Sequence, residues 1–200
     1  MALFFTALSL IPFYIIGTFP TGLLIAKSAG VDITKTGSGN VGATNVARTL
    51  GKKAGILTLL GDILKGVLAV IAASLASDDP SYKACAATAV VCGHCFSLPP
   101  LLKGGKGVAT SLGAILALSP WLAFCGVTIF AGLFWLTRYV SLASVSAALV
   151  IPIISLVSGM PDYLTLSLVP VALIVVFRHR ENLDRLVKGT EPKFTSKAKS

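Results

Sequence analysis

The sequence predicts an all-α integral membrane protein: seven transmembrane helices, the N-terminus outside and the C-terminus cytoplasmic. Three observations carry that prediction. Of the 200 residues, 54% are hydrophobic and 12% charged, about half the charge of an ordinary globular chain, and the mean hydropathy is +0.85. The apolar residues come in blocks of about 17–24, the length that crosses a bilayer as helix. The basic residues, which give the net charge of +9, then fall almost wholly on one side of the membrane. So few charges cannot solvate a closed surface, which excludes a soluble enzyme, a nucleic-acid-binding protein and a disordered tail.

The first block runs from Leu3 to Ala26. A secretory signal carries its basic residues ahead of the apolar stretch; Met1-Ala2 has none, and a retained span is expected. Ala54–Ala76 is long enough to cross, although it carries Asp62 and Lys65. Ala84–Leu102 is apolar but holds His94, Pro99 and Pro100. Gly107–Ser119 is short for a full crossing and is parted from Trp121–Thr137 only by Pro120, so a tight Ser119-Pro120 turn is expected. Val140–Ser158 and Tyr163–Phe177 complete the set.

Lys and Arg accumulate in the cytoplasmic loops. With the N-terminus outside, Lys27, Lys35, Arg48, Lys52 and Lys53 fall in the first inner loop, Lys103 and Lys106 in the second, and Arg138 in the third. Arg178, Arg180, Arg185, Lys188, Lys193, Lys197 and Lys199 follow the last span. That places 15 of 17 Lys and Arg inside, with Lys83 outside and Lys65 within a span. Merging the two short helices would send the first loop and the tail to opposite faces. Residues 1–191 therefore read as one seven-helix domain and 192–200 as a basic cytoplasmic tail.

Three inner segments carry chemistry. Thr36–Arg48 holds Gly37, Gly39 and Gly42, which let the backbone turn and present its N–H groups. Ser38, Asn40, Thr44 and Asn45 add neutral donors, and Arg48 adds a planar cation suited to phosphate. The composition is that of an anion cradle, yet neither a Walker A loop nor a Rossmann fingerprint is present. Lys103-Gly-Gly-Lys-Gly107 precedes a helix, where dipole, free N–H groups and charge combine into a phosphate site; snorkelling lysines would not need the glycines. Phe177–Glu191 places His179 and Asn182 three apart on a short surface helix, among cations that also suit anionic lipid. All three segments face one aqueous phase with few carboxylates between them. Arg48, Lys106 and His179 would favour phosphorylated substrates over a metal.

Other candidates carry less. Cys92-Gly-His-Cys95 matches a dithiol motif but lacks the surrounding βαβ pattern of a redox domain, and zinc needs four ligands where three are local. Cys85 and Cys125 read as packing residues. His94 is expected as a bundle-interior histidine rather than a catalyst. Asp62 and Lys65, three apart on one helix face, are expected as an ion pair tying their helix to the loops, although intramembrane charges are functional candidates by default. Ser141 and Ser144 could add hydroxyls to the site or cap their helix. The small residues Gly113, Ala114, Ala117, Ala143, Ala147 and Ala148 would either let helices pack closely or leave a groove for a chain.

Taken together, Gly37–Asn45 with Arg48, then Gly93-His-Cys-Phe-Ser with Lys103–Gly107, then Arg178–Asn182 with Arg185-Leu186 and Gly189 resemble the three signatures of the bacterial membrane acyltransferases that use acyl phosphate and glycerol 3-phosphate. The likeness runs from the first span through Glu191 and includes Asp62-x-x-Lys65-Gly66. It implies an inner-membrane enzyme that moves a fatty acyl group from acyl phosphate to the 1-hydroxyl of sn-glycerol 3-phosphate, giving lysophosphatidic acid, with no cofactor. Its partners would be those two substrates, membrane lipid and the soluble enzyme that makes the donor, with no nucleic acid. By the same resemblance Ser38, Arg48, Lys106, His179 and Asn182 contact glycerol 3-phosphate. Asn40, Thr44, the Gly104-Gly105 backbone and Ser144 cradle the donor phosphoryl group. Ser38, Arg48, Lys106 and His179 form the catalytic set, with His179 either a ligand or a base. Leu101-Leu102 depart from the aromatic residues common before Lys103, and Cys95 fills a variable position. A transporter of an organic phosphate is the alternative; it would place its site near mid-bilayer, often between internal repeats, and no repeat is seen.

Overall fold

The computed structural model describes residues 7–97 and 103–194. Met1–Thr6, the Pro99, Pro100 and Leu101-Leu102 positions, and Lys197 and Lys199 lie outside the described residues. Among the described residues the helices are, in order, α1 (Ile11–Thr18), α2 (Thr21–Ser28), α3 (Ala43–Leu50), α4 (Lys52–Ala76), α5 (Pro80–Cys95), α6 (Val108–Leu118), α7 (Pro120–Thr137), α8 (Val140–Val157), α9 (Asp162–Arg178) and α10 (Arg180–Val187). No strand occurs among the described residues.

Among the described residues four stretches are long and apolar enough to cross a membrane: Ala7–Ser28, which contains α1 and α2, then α4, α7 and α8. The α9–α10 pair, bent by 58° at its break, makes a fifth when taken as one span. The burial pattern is the inverse of a soluble protein. Leu64, Leu68 and Leu75 on α4 and Leu166, Leu173 and Phe177 on α9 are exposed, while Thr58, Asp62, Lys65, His94 and Ser155 are buried. An apolar exterior around a partly polar interior is what lipid as solvent demands.

Small residues set the packing. A side chain at Gly66 would strike the Thr110 carbonyl, and one at Gly113 the Ile63 carbonyl, so α4 and α6 touch backbone to backbone from both sides. Gly17 and Gly93 do the same for α1 and α5. Ala69, Val70, Ala73, Ala86, Val90, Val91 and Ala114 fill the core between these pairs. The expected small residues thus divide: Gly113 and Ala114 pack helices, Ala143 is buried, Ala147 and Ala148 line a cavity, and Ala117 is exposed and does neither.

The Ser119-Pro120 turn is found as expected, and side chains cap the starts of two helices. Ser119 caps α7 by accepting from Leu122 N, with Pro120 in the first turn. Asp79 caps α5 in the same way through Ser81 N at 2.9 Å. The block expected at Ala84–Leu102 differs: its helix starts at Pro80 and stops at Cys95, so His94 lies in the last turn. Carbonyls freed there are met from outside the helix. Tyr14 Oη donates to Phe96 O at 2.5 Å, and Gly105 N to His94 O at 3.0 Å.

Candidate active site

The first loop is folded around one side chain. Asn45, 2% exposed, accepts from Ser38 N at 2.9 Å and donates to Thr36 O at 3.0 Å and Asn40 O at 2.8 Å. Asn40 Oδ1 accepts from Gly42 N at 2.8 Å. Gly37 and Gly39, at φ +58 and +66, supply the left-handed turns that this wrapping requires. The Asn45 amide is thereby consumed by backbone, and the loop presents Ser38, Asn40, Thr44 and Arg48 instead.

The second loop is held from two sides. Arg178 Nε and Nη2 donate to Gly105 O and Gly104 O, each at 2.9 Å. Gly107, at φ +86, turns the chain into α6. Lys106 donates to Asn182 Oδ1, and burial pushes its ammonium down to about 8, with the neighbouring Glu191 charge opposing the shift.

The third segment breaks at His179, between α9 and α10. His179 Nδ1 lies 2.7 Å from Val175 O. A carbonyl can only accept, so Nδ1 carries the proton and Nε2 the lone pair. Burial and then the Lys106 charge lower this histidine to about 4, which keeps it neutral at physiological pH.

Glu191 draws these parts together, a residue that the sequence marked only as the end of a motif. Its Oε1 accepts from Asn182 Nδ2 at 2.6 Å and Ser141 Oγ at 2.7 Å, and its Oε2 from Arg185 Nε at 2.8 Å. Burial raises the carboxyl, and the hydrogen bonds from Asn182, Ser141 and Arg185 outweigh that, so it sits below its usual value. The packed chain continues past the expected boundary at 191. Pro192 O accepts from Arg48 Nη2 at 3.2 Å, and Phe194 N donates to Arg138 O at 2.9 Å. Residues 192–194 thus pack against the rim of the site, with Pro192 and Lys193 lining the cavity.

Ser38, Asn40, Thr44, Arg48, Gly104, Lys106, Ser144, His179 and Asn182 all line one cavity of about 1710 Å³. Its polar mouth continues between α6, α7, α8 and α9 along Leu112, Ile115, Gly126, Phe130, Ala148 and Ile151. Gly105 lies behind this wall, at a space of about 10 Å³ beside Lys65. Ser144 lines the cavity with its hydroxyl donating to Val140 O at 2.8 Å, and Ser141 is taken by Glu191. Among the described residues no three His, Cys, Asp or Glu side chains are gathered so as to hold a metal ion.

A family model for glycerol-3-phosphate acyltransferase matches residues 7–189. The chain belongs to the glycerol-3-phosphate acyltransferase family. A relative of that name from Geobacter sulfurreducens is 48% identical over 183 residues, 90% of this chain and 93% of its own. One from Aquifex aeolicus is 42% identical, with 90% and 95% covered. A crystal structure of PlsY, an integral membrane glycerol 3-phosphate acyltransferase in its glycerol 3-phosphate form, superposes with a TM-score of 0.88 at 40% identity, covering 96% of both chains. The lysophosphatidic acid form of PlsY gives 0.86. The all-helical acyltransferase fold is thus shared along nearly the whole chain, an integral membrane architecture as the sequence predicted.

Proposed function

We propose that this chain transfers a fatty acyl group from acyl phosphate to the 1-hydroxyl of sn-glycerol 3-phosphate, forming lysophosphatidic acid and phosphate. The observation that carries the reading is a single cavity, cationic at its mouth and apolar beyond it. Such a shape fits two anionic head groups beside one acyl chain. Arg48, Lys106, Ser38, His179 and Asn182 take glycerol 3-phosphate. Asn40, Thr44, Ser144 and the Gly104–Gly105 turn take the donor's phosphoryl group, with Gly105 supporting the turn from behind.

The mixed anhydride is already an activated acyl donor, so positioning and electrostatics suffice for much of the rate. The 1-hydroxyl oxygen bonds to the acyl carbon, the bond from that carbon to the phosphate oxygen breaks, and the hydroxyl proton passes to the departing phosphate. Lys106 steadies the charge on that phosphate. His179 accepts the substrate hydroxyl at Nε2 without removing its proton, because a group lowered to about 4 is a poor base at neutral pH. His179→Asn is expected to raise KM for glycerol 3-phosphate and to keep kcat within about a hundredfold. A larger kcat loss at unchanged KM would make His179 the base.

In this reading seven helices cross a bacterial inner membrane, with the N-terminus outside and the site at the cytoplasmic face. α5 and α6 are the short crossings; α6 rises about 16 Å at 1.5 Å per residue, and the Ser119-Pro120 turn returns it directly into α7. The soluble enzyme that supplies acyl phosphate is the natural partner. Purified protein in detergent, given radiolabelled glycerol 3-phosphate with acyl phosphate, should yield a lipid-soluble product. Label that stays water-soluble with every donor would favour transport instead.

A further inference from the structure

Three charged or ionisable side chains with no substrate contact assigned above sit inside the bundle, two of them, Asp62 and His94, at the wall of the same cavity. Lys65 Nζ is 2.9 Å from Asp62 Oδ1, 2.7 Å from His94 Nδ1 and 3.0 Å from Phe19 O. Asp62, Lys65 and His94 are 3%, 6% and 7% exposed. An ammonium has three N–H groups and no lone pair, so all three are committed and His94 Nδ1 must accept. The His94 proton is therefore on Nε2. An ion pair that served stability alone would be complete with Asp62 and the Phe19 carbonyl; the third N–H is spent on fixing one imidazole.

That imidazole and its backbone meet the Lys103–Gly107 loop. His94 O accepts from Gly105 N at 3.0 Å. A Cβ at Gly105 would collide with the His94 ring at Nε2, Cε1 and Cδ2, and one at Gly104 with the Cys95 and His94 carbonyls. From the other side Arg178 holds both glycine carbonyls. The loop is thus clamped between the end of α5 and Arg178, and the α5 side of the clamp is fixed by Lys65.

We propose that Asp62, Lys65 and His94 act as one positioning unit that sets the Lys103–Gly107 loop from inside the bundle, with His94 as the residue in contact with it. The inference rests on the reading of that loop as the donor's cradle. It makes His94 a positioning residue that works through Gly104 and Gly105, where the sequence alone favoured a packing histidine.

The test is a double-variant cycle on the purified full chain, with KM measured separately for acyl phosphate and glycerol 3-phosphate. His94→Ala should raise the donor KM about tenfold and leave the acceptor KM unchanged. Gly105→Ala should do more, because its methyl group falls on the ring. In the His94→Ala background that collision is gone, so the double variant should be no worse than Gly105→Ala alone. Losses that multiply, or an effect on the acceptor KM instead, would overturn the unit. His94→Asn keeps an acceptor for Lys65 while withdrawing the ring; it should fold where the alanine variant fails and show the same donor effect. If Gly105→Ala alone leaves the donor KM unchanged, the cradle reading falls and takes this inference with it.

Discussion

Asp62 and Glu191 are both buried carboxylates, and each organises the surroundings of the cavity in a different way. Asp62 meets one cation on its own helix, three residues away, inside the apolar bundle. Glu191 sits in a loop and gathers Ser141 from α8 and both Asn182 and Arg185 from α10. The first is a local pair whose cation otherwise meets only the His94 ring and the Phe19 carbonyl; the second is a long-range clasp at an aqueous edge, where Arg185 keeps access to water. What differs is the medium left behind when the carboxylate is lost, and that decides whether the protein fails by unfolding or by losing its site.

The largest expected effect follows from that contrast. Asp62→Ala strands the Lys65 ammonium in the bundle, and breaking a buried pair from one side costs about 3–5 kcal/mol. Folded yield and melting temperature in detergent should fall sharply. Glu191→Ala should cost less stability, since water can solvate Arg185, yet it frees Asn182 and Ser141 and loosens the partner of Lys106. Activity should therefore drop further than stability does. Because the folded Glu191 carboxyl lies below its ordinary 4.5, its contribution to stability is present above about that pH and fades as pH falls through the lower folded value. Equal stability losses for the two variants would erase the comparison.

A middle-sized effect concerns the cation next to the clasp. Lys106, lowered to about 8 by burial, is charged below that pH and neutral above it. In the free enzyme kcat/KM should decline on the alkaline side of pH 8, by about tenfold for each unit. Lys106→Arg carries a charge that is not titrated in this range, so the alkaline limb should move upward even if the maximal rate is lower. An unmoved limb would assign the titration to another group.

The two carboxylates also differ in how far the sequence announced them. Asp62 and Lys65 are three apart in an apolar run, so helix periodicity alone put them on one face. The Lys106–Asn182 and Glu191–Ser141 contacts join residues 76 and 50 positions apart, and no local pattern encodes such a meeting. Sidedness did part of that work, by assigning the three polar segments to one aqueous phase before any contact was known. The Asn45 hub was misjudged for a related reason: composition counts an amide as a donor to ligand, whereas here the loop's own backbone uses it. The early end of α5 at Cys95 likewise depends on carbonyls being met by Tyr14 and Gly105, from elsewhere in the chain.

The smallest effect sharpens what the clasp does for Arg48. Phe194 packs edge-on against Phe134, with ring centroids 5.8 Å apart, and the Arg48 guanidinium lies 5.9 Å from its centroid. Burial lowers Arg48 from its usual value, against the opposing Glu191 charge, so the guanidinium depends on nearby partners to stay in place. Phe194→Leu keeps the backbone bond to Arg138 and removes only the aromatic face, which is worth about 0.5–1 kcal/mol at a partly exposed site. KM for glycerol 3-phosphate should rise about two- to fivefold, with the donor KM and the melting temperature unchanged. A matching rise in the donor KM would mean that residues 191–194 brace the whole mouth of the cavity rather than Arg48 alone, and the division between a bundle-held donor loop and a clasp-held acceptor side would have to be redrawn.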